Sequence, residues 1–167
     1  MSVSPESRHQ TASAIVIDPW RERVLIVHHK ASGVWVFPGG HVDEDEAHHE
    51  AAAREVLEET GVRCEIIGPE FDGLPGMCSL PTPLVVAEIP APAKPDRPGK
   101  PAEPPHSHLD HLFVAAADSR TPLRAEESEV HGVRWVSLME LREMNTAGQT
   151  RAEVWGLALE ALSRRLK

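Results

Sequence analysis

Glu55, Glu58 and Glu59 are spaced i, i+3 and i+4. On a helix that spacing gathers three carboxylates within an arc of about 100°. The pattern predicts such a helix over about Asp45 to Thr60, where Ala52, Ala53, Val56, Leu57 and Thr60 recur at intervals of three and four. Gly61 supplies its stop, because glycine accepts the left-handed conformation after a last turn. Ala51 shares the acidic arc and leaves room beside it, while Ala53, Val56 and Leu57 lie opposite and are expected to bury. As plain surface the arrangement is poor. Like charges one turn apart repel by a few tenths of a kcal/mol per pair. Carboxylates in a last turn cost about 0.3–1 kcal/mol each against the macrodipole. A divalent cation reverses both effects, and clustered hard oxygen ligands suit Mg²⁺ or Mn²⁺, often shared with substrate phosphates. Arg54, one turn before Glu58, would hold that carboxylate in place. The competing reading is a solvated acidic stripe, and the helix alone does not decide between them.

The wider spacing does. Gly40, Glu46, Arg54, Glu55, Glu58, Glu59 and Gly61 fall at the intervals G-x5-E-x7-R-E-U-x-E-E-x-G-U, with Val56 and Val62 at the aliphatic positions U. This resembles the Nudix box at every position. Chance agreement at seven fixed positions is on the order of 10⁻⁶ or less. The entry Trp35-Val36-Phe37-Pro38-Gly39-Gly40-His41 is also similar to that family. The resemblance implies an α+β fold, an α/β/α sandwich around a mixed sheet. It implies hydrolysis of a diphosphate linked to another moiety, with Mg²⁺ or Mn²⁺ as cofactor. By position, Glu55, Glu58 and Glu59 would ligate the metal, and the carbonyl of Gly40 would join them. Arg54 would orient a carboxylate, and Glu46 would support the helix start. The general base in this family often lies on the loop before the late Trp strand, here Glu126, Glu127 or Glu129, with Glu127 taken as the candidate. Glu58 or Glu59 would serve otherwise. Markers of several substrate subclasses are missing. The segment Arg23 to Lys30 is not of the coenzyme A type, Met77 stands where ADP-ribose hydrolases carry Pro, and the chain has no Tyr. What remains is a nucleoside di- or triphosphate, or a related nucleoside diphosphate. The alternative is a Nudix-fold sensor that binds a nucleotide without cleaving it; the complete set of carboxylates favours the enzyme.

A second cluster is His106-Ser107-His108-Leu109-Asp110-His111. In a strand, His106, His108 and Asp110 share one face. The family resemblance includes bacterial members with a similar His-x-His-x-Asp strand. These three residues are expected to touch substrate or a second metal ion; the competing reading is a polar strand edge. His28, His29, His48 and His49 read as surface or packing residues.

The positioning elements follow from local pattern. Ala12 to Ile17, Arg23 to His28, Val34 to Phe37, Val62 to Ile67, Leu84 to Glu88, His108 to Val114 and Val130 to Val136 read as strands. A last helix is expected from about Gln149, with Trp155, Leu159, Leu162 and Leu166 on its apolar stripe. Residues 1–10 read as a loose tail, and 11–167 as one domain. Nine of the 15 prolines lie between Pro81 and Pro105. The span Pro90 to Pro105 therefore reads as an exposed, semi-stiff insertion, expected to flank the substrate cleft.

Composition bounds the partners. With 17 basic and 26 acidic residues the net charge is −9, which disfavours nucleic acid and anionic membranes. No apolar run approaches the roughly 18 residues of a membrane span, and MSVSPESRHQ lacks a signal-peptide core. Cys64 and Cys78 form neither a disulfide framework nor a zinc spacing. The expected partner is a small nucleotide or diphosphate, and the expected setting a cytoplasmic monomer or homodimer.

Overall fold

The computed structural model describes residues 7–70, 75–96 and 102–164. Its order is β1 (Arg8–Asp18), β2 (Arg23–His29), β3 (Trp35–Val36), β4 (Gly39–His41), α1 (His48–Thr60), β5 (Glu65–Ile67), β6 (Val85–Ala91), β7 (His106–Ala116), β8 (Val130–Ser137), α2 (Leu138–Thr146) and α3 (Val154–Arg164).

The spine is the parallel pair β1 and β7, in register from Arg8 opposite Ser107 to Ile17 opposite Ala116. On its other edge β1 pairs antiparallel with β4 at Thr11–Ser13 and with β2 at Ile17–Asp18. β2 carries β8 along its length. β7 carries β5 and β6, both antiparallel. Side-chain alternation then divides the sheet into two faces. Ala12, Ala14, Val16, Phe113 and Ala115 pack under α1 through Ala51, Ala52 and Val56. Ile15, Ile17 and Leu112 pack under α2 and α3 through Leu141, Met144, Val154, Ala158 and Leu162. Ile15, Ile17, Leu25 and Ile26 are fully buried, worth about 1.5–3 kcal/mol each. This is the α/β/α sandwich expected, with a mixed sheet.

Several expectations need correction. Arg8, His9 and Gln10 belong to β1, not to a tail, because they continue the ladder with Ser107–Leu109. α1 starts at His48, after a turn in which Glu50 accepts from the Ala47 N–H at 3.0 Å. It buries Ala51, Glu55 and Glu59 alongside Ala52 and Val56, while Ala53 and Leu57 are only partly covered. The face expected to hold free carboxylates is thus mostly turned inward. α2 is an element additional to those expected. Ser137 caps it, its Oγ accepting from the Glu140 N–H at 3.2 Å while Glu140 accepts from the Ser137 N–H at 2.8 Å. α3 begins at Val154 rather than near Gln149 and buries Val154, Ala158, Ala161 and Leu162; Leu159 is exposed. Leu166 lies outside the described residues.

The proline-rich segment is more ordered at its base than an exposed insertion. β6 runs through Pro90, opposite Ser107. It tolerates proline because it is an edge strand. Lys94 and Glu103 then exchange backbone hydrogen bonds of 2.9 and 3.0 Å, so β6 and β7 are joined by a long hairpin. Ala91 is buried, while Pro92, Pro95, Pro104 and Pro105 are exposed.

Candidate active site

The carboxylates of α1 meet the short strand β4. The Gly39 N–H donates to Glu59 Oε2 at 3.1 Å. A Cβ on Gly40 would fall 2.4 Å from Glu55 Oε1, and one on Gly39 would fall 2.3 Å from Ser13 Oγ. A side chain at Gly39 would strike the backbone of β1, and one at Gly40 would displace the Glu55 carboxylate. Gly61 ends α1 with φ of 74°, its N–H donating to the Leu57 carbonyl.

Arg54 ties this corner together. Its Nε and Nη2 form a fork on Glu46 at 2.9 and 3.0 Å, Nη1 donates to Glu55 at 2.8 Å and to Glu58 at 3.0 Å, and Nη2 reaches the His41 carbonyl at 2.9 Å. The expected contact to Glu58 is present, but the fork on Glu46 is the stronger hold. It lowers the Glu46 pKa and raises that of Arg54. Glu46 thus anchors the arginine that orients two carboxylates.

Glu55 and Glu59 pay for their position electrostatically. Burial raises the Glu55 pKa against the pull of Arg54. Burial raises Glu59 to about 8, opposed by the Gly39 N–H and reinforced by Glu55, Glu129 and Glu58. Glu58 is exposed. Two inward carboxylates and one outward carboxylate thus line this side of α1 next to Gly40, which has no side chain; hard oxygen donors are the type that suits a divalent cation.

The late loop lies over the end of α1, where the Glu126 N–H donates to the Glu59 carbonyl at 3.2 Å. Glu126, Glu127 and Glu129 are all exposed. The Glu127 carbonyl accepts from Lys30 Nζ, and the Glu129 carbonyl from the Lys30 N–H at 3.1 Å. Of the three, Glu129 is the one whose charge acts on both Glu55 and Glu59.

On the opposite face of the sheet lies a cavity of about 310 Å³, lined by Ser13, Phe37, Ile89, Asp110, Leu112 and Arg151 among others. Ser13 joins the two regions, since it lines the cavity and lies against Gly39. Asp110 is buried, and its Oδ1 accepts from Thr11 and Ser13, both at 2.9 Å. Burial still raises its pKa. His106 and His108 share the face of Asp110 but stand outside the cavity lining, beside His9 and His41. Burial, with His41 and His106 nearby, pushes His108 down to about 4. Sequence reasoning missed His9, hidden in the supposed tail, although His9, Thr11 and Ser13 alternate as strand residues do. It also missed Arg151, for which sequence offers no local signal.

The NUDIX domain model matches residues 7–155. The chain belongs to the NUDIX family. A putative 8-oxo-dGTP diphosphatase of Bacillus subtilis is 46% identical over 52 residues, 31% of this chain and 34% of that protein. A MutT-like protein of Streptomyces ambofaciens is 35% identical over 81 residues, 48% and 49% of the two chains. The chain thus spans half or less of the length of these two curated relatives. A NUDIX-family hydrolase from Clostridium perfringens superposes with a TM-score of 0.72 at 26% identity, covering 94% of this chain and 97% of that one. A NUDIX hydrolase from Nitrosomonas europaea, at 19% identity and a TM-score of 0.57, shares the fold.

Proposed function

We propose that this NUDIX chain is a Mg²⁺- or Mn²⁺-dependent pyrophosphohydrolase acting on a nucleoside di- or triphosphate or a related nucleoside diphosphate. One observation carries the reading. Glu59 is 2% exposed, with a single backbone N–H offered to it and Glu55, Glu129 and Glu58 all raising its pKa. An inert helix gains nothing from that cost, whereas a cation bound among these carboxylates would offset it.

Glu55, Glu58 and Glu59 would hold the metal, with the Gly40 carbonyl beside them. Bound there, the ion supplies charge neutralisation on the phosphates and a lowered pKa for an attacking water. Arg54 fixes Glu55 and Glu58 and is itself fixed by Glu46. The general base would come from the late loop, Glu127 being the candidate, with Glu129 the loop carboxylate whose charge acts on Glu55 and Glu59; Glu58 or Glu59 would serve otherwise. The cavity across Ser13 takes the nucleoside end. Phe37 and Leu112 offer apolar contact, Arg151 a positive charge, and Asp110 an acceptor whose Oδ2 neither Thr11 nor Ser13 engages. Ile89 and Pro90 bring the base of the proline-rich hairpin to this cavity, which supports a role for it in substrate choice. Cys64 and Cys78 are free thiols, in keeping with a cytoplasmic setting. No helix among the described residues is long and apolar enough to cross a membrane.

The test is a panel of nucleoside di- and triphosphates and diphosphate conjugates with Mg²⁺ or Mn²⁺, following phosphate and pyrophosphate release. At least one should turn over, and Glu58→Gln should lower turnover by about two decades or more. Near-normal rates in that exposed-site variant would remove the metal assignment.

A further inference from the structure

β1 and β7 carry a second donor set, built from nitrogen rather than oxygen. His9 and His108 are direct partners across the parallel ladder, and His106 lies two residues along the same face. One ring nitrogen from each of the three falls within 4.8 Å of the other two. The rings are packed together, His9 on His106 with centroids 4.2 Å apart and His106 against His108 at 5.0 Å. His41, on β4, adds a fourth imidazole whose ring lies 5.1 Å from that of His108.

The buried member of this group has a fixed orientation. His106 Nδ1 lies 2.9 Å from the Pro104 carbonyl. A carbonyl only accepts, so Nδ1 carries the proton and Nε2 is left as a lone pair. That lone pair accepts from the His108 Nε2–H at 3.1 Å, and a bound metal ion would take the place of that proton. A backbone carbonyl that sets the tautomer of a histidine in this way is the usual support of a metal-ligating imidazole. The hairpin adds charge compensation. Glu103 Oε2 lies 4.0 Å from His106 Nε2 and pairs with Lys94 at 3.0 Å, so the ammonium beside the cluster is paired with a carboxylate.

We propose that His9, His106 and His108 bind a transition-metal ion of the zinc class, at a site separate from the carboxylates of α1. Imidazole donors select Zn²⁺, Co²⁺, Ni²⁺ or Cu²⁺ over Mg²⁺. Nitrogens around zinc at about 2.0–2.1 Å stand about 3.3 Å apart, which the side chains reach by small rotations of His9 and His108, both only partly buried. Water, His41 or Glu103 completes the shell. Residues 97 positions apart are thereby joined, and the ion clamps the start of β1 to the start of β7.

The test uses the whole chain, stripped with chelator and dialysed against Zn²⁺ in excess Mg²⁺, so that the oxygen site is saturated. Metal analysis should find one zinc per chain. Substitution with Co²⁺ should give the visible absorption of a low-coordinate nitrogen site. His9→Gln and His108→Gln should each weaken zinc tenfold or more, while Glu58→Gln leaves it unchanged. Zinc at about 100 times its Kd should raise the Tm of the parent by about 5–10 °C and that of His9→Gln far less. His9→Gln matters because His106, being buried, is the riskier position to change. Absence of bound zinc, zinc unaffected by both histidine substitutions, or zinc lost with Glu58→Gln would each overturn the proposal.

Discussion

Replacing Glu59 by Gln should make the metal-free protein more stable at alkaline pH while destroying its metal site. The pKa of Glu59 rises from 4.5 to about 8 on folding, with burial as the largest cause. A carboxyl whose pKa is raised by folding stabilises the native state fully below its unfolded pKa. That contribution is lost as pH rises through the folded value. The window here runs from about pH 4.5 to about pH 8. A tenfold difference in acid dissociation constant between the folded and unfolded chain is worth about 1.4 kcal/mol, so the loss between roughly pH 5.5 and pH 8 has a ceiling of about 3 kcal/mol. For a chain of this size that corresponds to about 6–12 °C in Tm. Gln keeps the shape and still accepts from the Gly39 N–H, but it has no charge to desolvate. Glu55 is shifted in the same direction and the two titrate as an interacting pair, so the difference between parent and variant is the meaningful quantity.

The assay is thermal unfolding in chelator across that pH range, repeated in excess Mg²⁺. The parent should lose Tm with rising pH more steeply than Glu59→Gln. Added Mg²⁺ should restore the parent at high pH and leave the variant unmoved. Parallel pH profiles would refute the reasoning, because Glu59 would then ionise in the fold without cost. A Mg²⁺ response of equal size in both proteins would show that Glu59 is not part of the cation site.

Other outcomes follow from the same corner. Arg54→Ala removes the fork on Glu46 and the contacts to Glu55 and Glu58; it should cost about 1.5–3 kcal/mol in chemical denaturation and weaken Mg²⁺, with partial rescue of activity at high Mg²⁺. Loss of activity that no Mg²⁺ concentration relieves would point instead to direct substrate contact. Gly40→Ala places a methyl 2.4 Å from Glu55 Oε1, so metal affinity by calorimetry should fall tenfold or more; unchanged affinity would mean that Glu55 is not a ligand.

What the sequence revealed and what it hid divide along a physical line. The box was legible because its constraints are local. A glycine without a Cβ, an arginine among carboxylates and a helix stop all act within Gly40 to Val62. The burial of that helix was misread because periodicity assigns the inward face by hydropathy. Here the inward face carries Glu55 and Glu59, charges that pattern reasoning sends to solvent. A functional site is where that rule fails. α2 is legible in principle, since Ser137 and Glu140 form a capping box, but the strand pattern of Val130 to Val136 runs up to its edge. His9 and Arg151 were beyond reach for another reason. Nothing near Arg151 in sequence marks it, and the alternation of His9, Thr11 and Ser13 marks a strand but not a ligand. Each gains meaning from a strand or helix far along the chain, His9 through the parallel ladder to His108 and Arg151 through the cavity it shares with Asp110. Parallel pairing leaves no turn signal to announce it. It is therefore the β1–β7 register, and not the box, that brings the histidine cluster into existence.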